Sequence, residues 1–421
     1  MSSEGWTRAQ IYTLAVLSGA YMLNFADRHL LAVLIEPMKR DLGTSDTQMG
    51  LLSGIAFAIF YAVFGIPIAR YADRGNRRTL LAVGIAVWSL MTAVTGASRS
   101  FFQVLLTRIG VGVGETSAGA PVHSLLSDVF PPHQRATALA IYTAGAQLGG
   151  VLGLTLGGWL EQRYGWRMAF VGMGLPGLAV ALLVRATIDE PPRGRFDGPR
   201  VRAAVSFGET TRFLVGRRSF VLMALGLSCC IFGSYGASSW HPTLLRRVHA
   251  MSGTEVGLWL GFAAGSASML GGIASAALTD RLARRDARWY LWLPALNTLL
   301  AVPLSVVIPF IEDASLAVRL IPIWSFLVGS IGGPIFAMIQ GVARPEMRAV
   351  AAALNMFVMT LVGMGLGPTF VGFASDQLAS AHADDSIRFA LALIAPVQIA
   401  GALLWLFAAR ALRGDLEHAT T

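Results

Sequence analysis

Apolar runs of about 20 residues alternate with short polar joints along the whole chain. A run of that length crosses the roughly 30 Å hydrocarbon core of a bilayer as a helix. The runs are too long and too uniformly apolar for barrel strands, and a backbone in lipid must satisfy its own hydrogen bonds. The pattern therefore predicts an all-α membrane protein with twelve transmembrane helices. We place these at residues 10–33, 47–70, 78–98, 101–124, 135–158, 166–186, 218–240, 255–278, 289–310, 316–340, 347–372 and 386–410.

One long polar stretch, rich in Pro, Gly and Arg, divides the chain after the sixth predicted helix. It predicts an N-terminal six-helix bundle over residues 1–186, a linker over 187–217 and a C-terminal six-helix bundle over 218–421. The charged segment Asp73–Arg78 follows the second helix, and a similar segment, Asp280–Arg285, follows the eighth. This echo indicates a duplicated six-helix unit. Secondary transporters built from such repeats bind substrate near the bilayer midplane, between the repeats.

Charge and composition agree with this topology. Only 14% of the residues are charged, against about 25% in soluble domains. The net charge of +9 would suggest nucleic acid as the partner of a soluble protein. Here the Arg-rich joints fit the positive-inside rule, which places both termini and the linker in the cytoplasm. We therefore expect the lipid bilayer, and not a nucleic acid, to be the partner of this basic chain. We expect the protein to lie in the bacterial inner membrane.

Four ionisable side chains lie well inside the predicted spans, namely Asp27, Arg28, Arg108 and Glu115. Each costs at least about 2.5–3.5 kcal/mol to insert, so each is a functional hypothesis by default. At 1.5 Å per residue, Asp27 and Arg108 lie at matching depths of roughly 10–12 Å, with Glu115 two turns nearer the cytoplasm. We therefore expect Arg108 to pair with Asp27 and with Glu115. Arg28 points about 100° away from Asp27, toward either the interface or the substrate.

A guanidinium keeps its proton, whereas a carboxyl group in an apolar cavity can be neutralised by one. Glu115 and Asp27 are therefore candidate proton-coupling residues, with Arg108 as the fixed charge that responds to them. A static ion-pair network that only orients helices is the alternative. The spans hold further polar or aromatic side chains that fit either packing or a substrate cavity. With Arg28, these cavity candidates are Tyr61, Gln147, Tyr235, Trp240, Asn297 and Asn355.

The charged joints after the second and eighth helices are candidates for a cytoplasmic gate. An acidic residue at a helix end that faces basic groups on a neighbouring helix can hold the cytoplasmic side shut. The alternative is a turn that only carries positive-inside charge. The candidate gate residues are Asp73, Arg74, Arg77, Arg78, Asp280 and Arg281.

Two segments resemble a known family. Ala69–Arg78 resembles the loop signature of the major facilitator superfamily, with Ala69 and Asn76 where that signature usually has Gly. Arg108–Gly114 resembles its fourth-helix motif. Within the superfamily, the first half is most similar to bacterial spinster-like transporters. The similar segments are Asn24–Arg28, Asp73–Arg77, Val111–Glu115, Ser127–Phe130 and Gly165–Arg167.

This resemblance implies the major facilitator fold and transport by alternating access, and we expect a monomer. It links Asp27, Arg108 and Glu115 to proton coupling, and it favours a gate at Asp73. The Asn-x-x-Asp-Arg pattern at Asn24 and the Arg–Glu pair of the fourth helix are also similar to those of proton-coupled symporters of organic anions.

Two transport functions therefore stay open. The first is a proton-coupled secondary active transporter for an amphipathic or lipid-like organic anion. The second is a proton symporter for small organic anions such as sugar acids. A small dianion needs basic and amide groups in both halves, so a second half without charged residues well inside its spans favours the first.

Other classes of protein fit less well. A membrane enzyme needs a nucleophile or a metal cluster, and the sequence contains neither His-Glu-x-x-His nor Gly-x-Ser-x-Gly. A channel needs a charged or carbonyl-lined filter. We expect no metal and no cofactor. Because nothing resembles an ATP-binding loop, we expect an ion gradient to drive transport.

Overall fold

The computed structural model describes residues 6–196 and 206–420. Within these two stretches every regular element is a helix, which confirms the all-α prediction. Apolar sequence in lipid favours helices because each helix satisfies its own backbone. The linker residues Pro199, Arg200 and Arg202 lie outside the described residues.

The helices of the first half match predicted spans 1 to 6 in order, and the first of them extends well beyond its predicted end. They are α1 (Arg8–Leu42), α2 (Asp46–Ser53), α3 (Ile55–Arg74), α4 (Arg77–Thr95), α5 (Phe101–Glu115), α6 (Ala120–Val129) and α7 (Pro132–Thr187).

The second half begins with a short helix and contains two π-helical segments, Leu258–Ala264 and Met359–Gly365. Its α-helices are α8 (Phe207–Val215), α9 (Arg218–Arg247), α10 (Gly253–Gly257), α11 (Gly265–Ala283), α12 (Trp289–Val307), α13 (Ala314–Gly329), α14 (Gly332–Gly341), α15 (Arg348–Val358), α16 (Leu366–His382), α17 (Ser386–Ala392) and α18 (Ala395–Thr420).

Eight helical segments of the described chain are long and apolar enough to cross a bilayer. Two of them, Pro132–Thr187 and Val350–Glu417, each contain two predicted spans. The first and fourth predicted spans are not among the eight. The first, in α1, carries two charges in its apolar run, and the fourth is interrupted after the 15 residues of α5.

Local backbone chemistry explains two of the interruptions. Gly165 has φ 82°, a conformation that glycine adopts without strain, and it separates the fifth and sixth predicted spans inside α7. In the fourth span, α5 ends at Glu115 and a 3₁₀ turn, Thr116–Ala118, leads into α6. Pro121 lies at the start of α6, where its missing N–H leaves no helical hydrogen bond unmade. Glu115 therefore lies at a helix break inside the predicted membrane span.

Contacts divide the chain into two compact units. The first comprises the described residues of Met1–Thr44, Ile59–Val201 and Ser252–Gly261, and the second those of Ser45–Ala58, Arg202–Met251 and Phe262–Thr421. The predicted division at residues 186 and 218 concerns the sequence repeat and stays a prediction.

In the first unit, α1 and α7 pack closely because α7 presents glycines to the α1 backbone. A Cβ atom on Gly149 would lie 2.2 Å from the carbonyl oxygen of Met22, and one on Gly153 would lie 2.3 Å from that of Ala26. Any larger residue would push the helices apart. This contact fixes the stretch of α1 that carries Asp27 and Arg28.

In the second unit, a buried ion pair ties α2 to α9 and α16. Both terminal nitrogens of Arg247 donate to the Asp46 carboxylate at 2.8 Å, and their side chains are 6% and 2% exposed. Ser375 Oγ also donates to Asp46, at 2.7 Å. Asp376 accepts the backbone N–H groups of Asp46 and Thr47 at 3.0 and 2.7 Å, which satisfies the N-terminus of α2.

Candidate coupling site

The first unit holds a buried ion pair between α1 and the end of α5. Arg28 Nε donates to Glu115 Oε2 at 2.5 Å. The Glu115 side chain is fully buried, whereas that of Arg28 is 14% exposed. Arg28 is therefore the member of the pair through which a solute can reach this site.

Asp27 and Arg108 are buried beside this pair. Asp27 Oδ2 accepts a hydrogen bond from Thr92 Oγ1 of α4 at 3.0 Å. Asp27, Arg108 and Glu115 are close enough to interact electrostatically. α1 and α5 thus bring together the four charged residues that lie well inside the predicted spans, and α4 adds the Thr92 hydroxyl.

These four residues carry balanced charge but incomplete hydrogen bonding. Two carboxylates and two guanidinium groups sum to zero, so one added proton gives the site a net charge of +1. Several buried atoms have no hydrogen-bond partner among the described residues. They are Asp27 Oδ1, Glu115 Oε1, Arg108 Nε and Arg108 Nη1. Buried polar atoms are normally paired, so such exceptions indicate a role beyond packing.

The predicted pairing is corrected in two respects. Arg28, and not Arg108, makes the direct ion pair with Glu115, and Thr92, not Arg108, hydrogen-bonds to Asp27. The 100° rotation between Asp27 and Arg28 describes where the side chains leave the helix. It does not limit the long, flexible Arg side chain, whose guanidinium reaches back to α5.

Two aromatic rings position the Arg28 guanidinium. Its carbon lies 4.8 Å from the ring centroid of Phe25 and 5.0 Å from that of Tyr61, within range of cation–π attraction. Tyr61 is a cavity candidate in the sequence, whereas Phe25 and Thr92 were not predicted. A hydroxyl group in an apolar run was the available signal for Thr92.

The other cavity candidates differ in accessibility. Gln147 is exposed, and Tyr235 and Asn297 are half-buried. Asn297 Nδ2 donates to Ser330 Oγ at 2.7 Å. Trp240 is fully buried and its indole N–H donates to the Pro368 carbonyl at 2.9 Å, so in this conformation it packs α9 against α16.

Asn355 has a different environment from these residues. It is fully buried in α15, and neither atom of its amide has a hydrogen-bond partner among the described residues. Its amide is therefore available to form hydrogen bonds with a polar group of a solute.

Among the gate candidates, Arg77 is buried within the first unit. It forms ion pairs with Asp128 at 2.5 Å and with Glu190 at 2.7 Å. Arg78 donates its backbone N–H to Glu190 at 2.8 Å. Arg193 donates to the carbonyl oxygens of α3 at its C-terminus and just beyond. These contacts fix the α3–α4 turn to the start of the predicted linker.

The remaining gate candidates, Asp73, Arg74, Asp280 and Arg281, are exposed. Asp280 accepts a hydrogen bond from the Tyr290 hydroxyl at 2.9 Å. A gate role for these residues therefore stays a prediction. Within residues 6–196 and 206–420, no group of His, Cys, Asp or Glu is arranged to hold a metal ion.

Known proteins resemble this chain over nearly its whole length. The family model of the Major Facilitator Superfamily matches residues 17–368. An MFS-type efflux pump of Mycolicibacterium smegmatis is 37% identical, over 96% of this chain and 94% of that protein. A hexuronate transporter of Bacillus subtilis is 27% identical, over 85% and 86%.

A solved structure of a bacterial homologue of the human lysosomal transporter Spinster, inward-facing and unoccupied, matches with a TM-score of 0.89. It is 28% identical, and the match covers 98% of this chain and 99% of that one.

Proposed function

Since this chain belongs to the major facilitator superfamily and is a transporter of the spinster-like type, we propose that it couples proton movement to transport of an amphipathic organic anion. The observation that carries the proposal is the Arg28–Glu115 ion pair, in which the Glu115 side chain is fully buried and that of Arg28 is 14% exposed. A transporter that couples two solutes needs one group that both of them compete for. Arg28 is that group.

The chemistry follows from the balance of charge. When Glu115 is ionised, it occupies Arg28. A proton on Glu115 removes that competitor and leaves the site with a net positive charge, and an anion can then take the place of the carboxylate on Arg28. Charge-assisted hydrogen bonds of this kind are about twice as strong as neutral ones. Proton and anion therefore bind together, and each raises the affinity for the other.

Asp27 and Arg108 influence this exchange electrostatically. Arg108 is buried and keeps its charge, so it attracts whichever carboxylate is ionised. Asp27 accepts a hydrogen bond from the uncharged Thr92 hydroxyl, whereas Glu115 accepts directly from Arg28, the cation that an anion would bind. We therefore assign the exchangeable proton to Glu115 and a supporting role to Asp27.

The substrate class follows from what surrounds Arg28. Its guanidinium lies against two aromatic rings, and the predicted spans of the second half carry charged residues only near their ends. One cation with apolar surroundings suits an anion with a single charged group and an apolar body. The hexuronate transporter relative supports a small sugar acid as the alternative, which would need more polar partners than these.

The test is uptake into vesicles that contain the purified protein. The probes are radiolabelled 2-naphthalenesulfonate, decyl sulfate and glucuronate, each with no pH gradient, with an acidic exterior and with an acidic interior. Joint binding of proton and anion predicts faster uptake of the first two probes with an acidic exterior. An exchanger, which is how an efflux pump would use the gradient, responds instead to an acidic interior.

Glu115→Gln carries the decisive comparison. It mimics the protonated residue, so we expect exchange without a gradient to persist while acceleration by the gradient is lost. Glu209→Gln, an exposed carboxylate on α8, is the matched control and should behave as the parent. A Glu115→Gln protein that still responds to the gradient would assign the proton to Asp27, and faster uptake of glucuronate than of both amphipathic anions would contradict the substrate class.

A further inference from the structure

A row of aromatic rings leads away from Arg28 inside the first unit. The Phe25 and Tyr21 rings of α1 meet edge to face at 5.0 Å. Tyr21 stacks on Tyr142 of α7 at 4.4 Å and 22°, and Tyr142 meets His123 of α6 edge to face at 5.8 Å. Four rings from three helices thus form one continuous path.

The path starts at the cation. The Arg28 guanidinium lies over Phe25 and over Tyr61 of α3, so the rings nearest the charge flank it from two helices. An anion bound at Arg28 has aromatic faces and edges within reach along the row.

Accessibility distinguishes this row from ordinary core packing. Tyr142 is buried, and its hydroxyl donates to the Ala118 carbonyl at 2.5 Å, which fixes the orientation of its ring. Phe25, Tyr61 and Tyr21 are only half-buried and His123 is exposed. The row is therefore anchored at Tyr142, and the other rings keep accessible surface.

We propose that Arg28 and the rings of Phe25, Tyr61 and Tyr21 form a binding path for aromatic organic anions, with the anionic group on Arg28 and the flat apolar part against the rings. This inference rests on the proposed function, because it uses the Arg28 that a proton on Glu115 releases. Aromatic pairs prefer offset-stacked and edge-to-face arrangements. A flat ring gains from that geometry, whereas an alkyl chain gains only from buried area.

Two probes of equal charge and different bodies test the proposal. 2-Naphthalenesulfonate carries fused rings, and decyl sulfate carries an alkyl chain. Tyr21→Leu keeps an apolar side chain but removes the ring. We expect it to raise KM for naphthalenesulfonate about three- to tenfold and to leave KM for decyl sulfate within a factor of two. Tyr21→Phe, which keeps the ring, should keep the parent's ratio of KM values for the two probes.

Phe25→Leu provides a second variant in case Tyr21→Leu fails to fold. Because Phe25 also positions Arg28, we expect KM to rise for both probes, and to rise more for naphthalenesulfonate. Both variants should keep the acceleration by the pH gradient, which Glu115→Gln loses for both probes. Equal increases in KM for the two probes, or no change for naphthalenesulfonate in both variants, would overturn the binding path and leave proton coupling intact. Loss of the gradient response in the parent would overturn the proposed function instead.

Discussion

The buried ion pairs Arg28–Glu115 in the first unit and Asp46–Arg247 in the second have their hydrogen bonds satisfied to different degrees. In the second unit, both oxygens of Asp46 accept from Arg247, and one also accepts from Ser375. In the first unit, Glu115 Oε2 accepts from Arg28, and Oε1 has no hydrogen-bond partner among the described residues. The hydrogen bonding of the carboxylate is therefore complete in the Asp46–Arg247 pair and incomplete in the Arg28–Glu115 pair.

This difference distinguishes an ion pair that fixes the structure from one that can exchange a partner. A buried ion pair with every hydrogen bond made resists the loss of either partner, because the remaining charge would be buried alone. A pair that leaves an oxygen unpaired has less to lose when a proton or an anion replaces one partner. We therefore interpret Asp46–Arg247 as a lock between α2 and α9, and Arg28–Glu115 as a switch.

The largest effect is expected at the lock. Arg247→Ala leaves Asp46 buried without its cation, and we expect the free energy of unfolding to fall by about 3–5 kcal/mol. The double variant Asp46→Leu with Arg247→Met removes both charges and should lie close to the parent. Chemical unfolding in detergent micelles measures both. If the single and double variants are equally destabilised, packing and not charge holds this contact.

Arg28→Gln removes the cation of the Arg28–Glu115 pair, as Arg247→Ala removes that of the other pair. The carboxylate that it leaves can take a proton, and Arg108 is nearby, so we expect unfolding to be easier by only about 1–3 kcal/mol. Uptake of 2-naphthalenesulfonate should fall to background, because the cation that binds the anion is gone. Arg8→Gln, which removes an exposed charge of α1, is the control. A loss of stability as large as that of Arg247→Ala would remove the distinction between lock and switch.

How far the sequence predicts these sites depends on the kind of signal. A charge in an apolar run is conspicuous, so Asp27, Arg28, Arg108 and Glu115 could all be identified. Their pairing could not, because it depends on where a long side chain ends and not on where it leaves the helix. Phe25 escaped notice because aromatic residues are common in membrane spans.

The lock was not predicted for a different reason. Asp46 lies 201 residues from Arg247 and 329 from Ser375 along the chain, and charged residues at span ends are ordinary interfacial residues in a sequence. Helix ends show the same limit. α1 continues past its apolar run to Leu42 and ends where Gly43 takes φ 63°, because a helix can extend into water after its apolar residues end.

The smallest expected effect on stability belongs to the predicted gate, where Asp73 contrasts with its neighbour Arg77. Arg77 is buried and paired with Asp128 and Glu190, whereas Asp73 is exposed and its carboxylate makes no ion pair among the described residues. Asp73→Asn should therefore change the free energy of unfolding by no more than about 0.5 kcal/mol.

If a second conformation brings Asp73 against basic groups, the variant loses a contact made only there, so turnover slows and the population shifts toward the cytoplasm-open state. Labelling of single cysteines placed along α3 and α11, in a protein whose Cys229 and Cys230 are replaced by Ala, measures that shift, with exposed Arg74→Gln as a neighbouring control. Unchanged labelling together with unchanged uptake would show that Asp73 is a charged turn residue and no part of a gate.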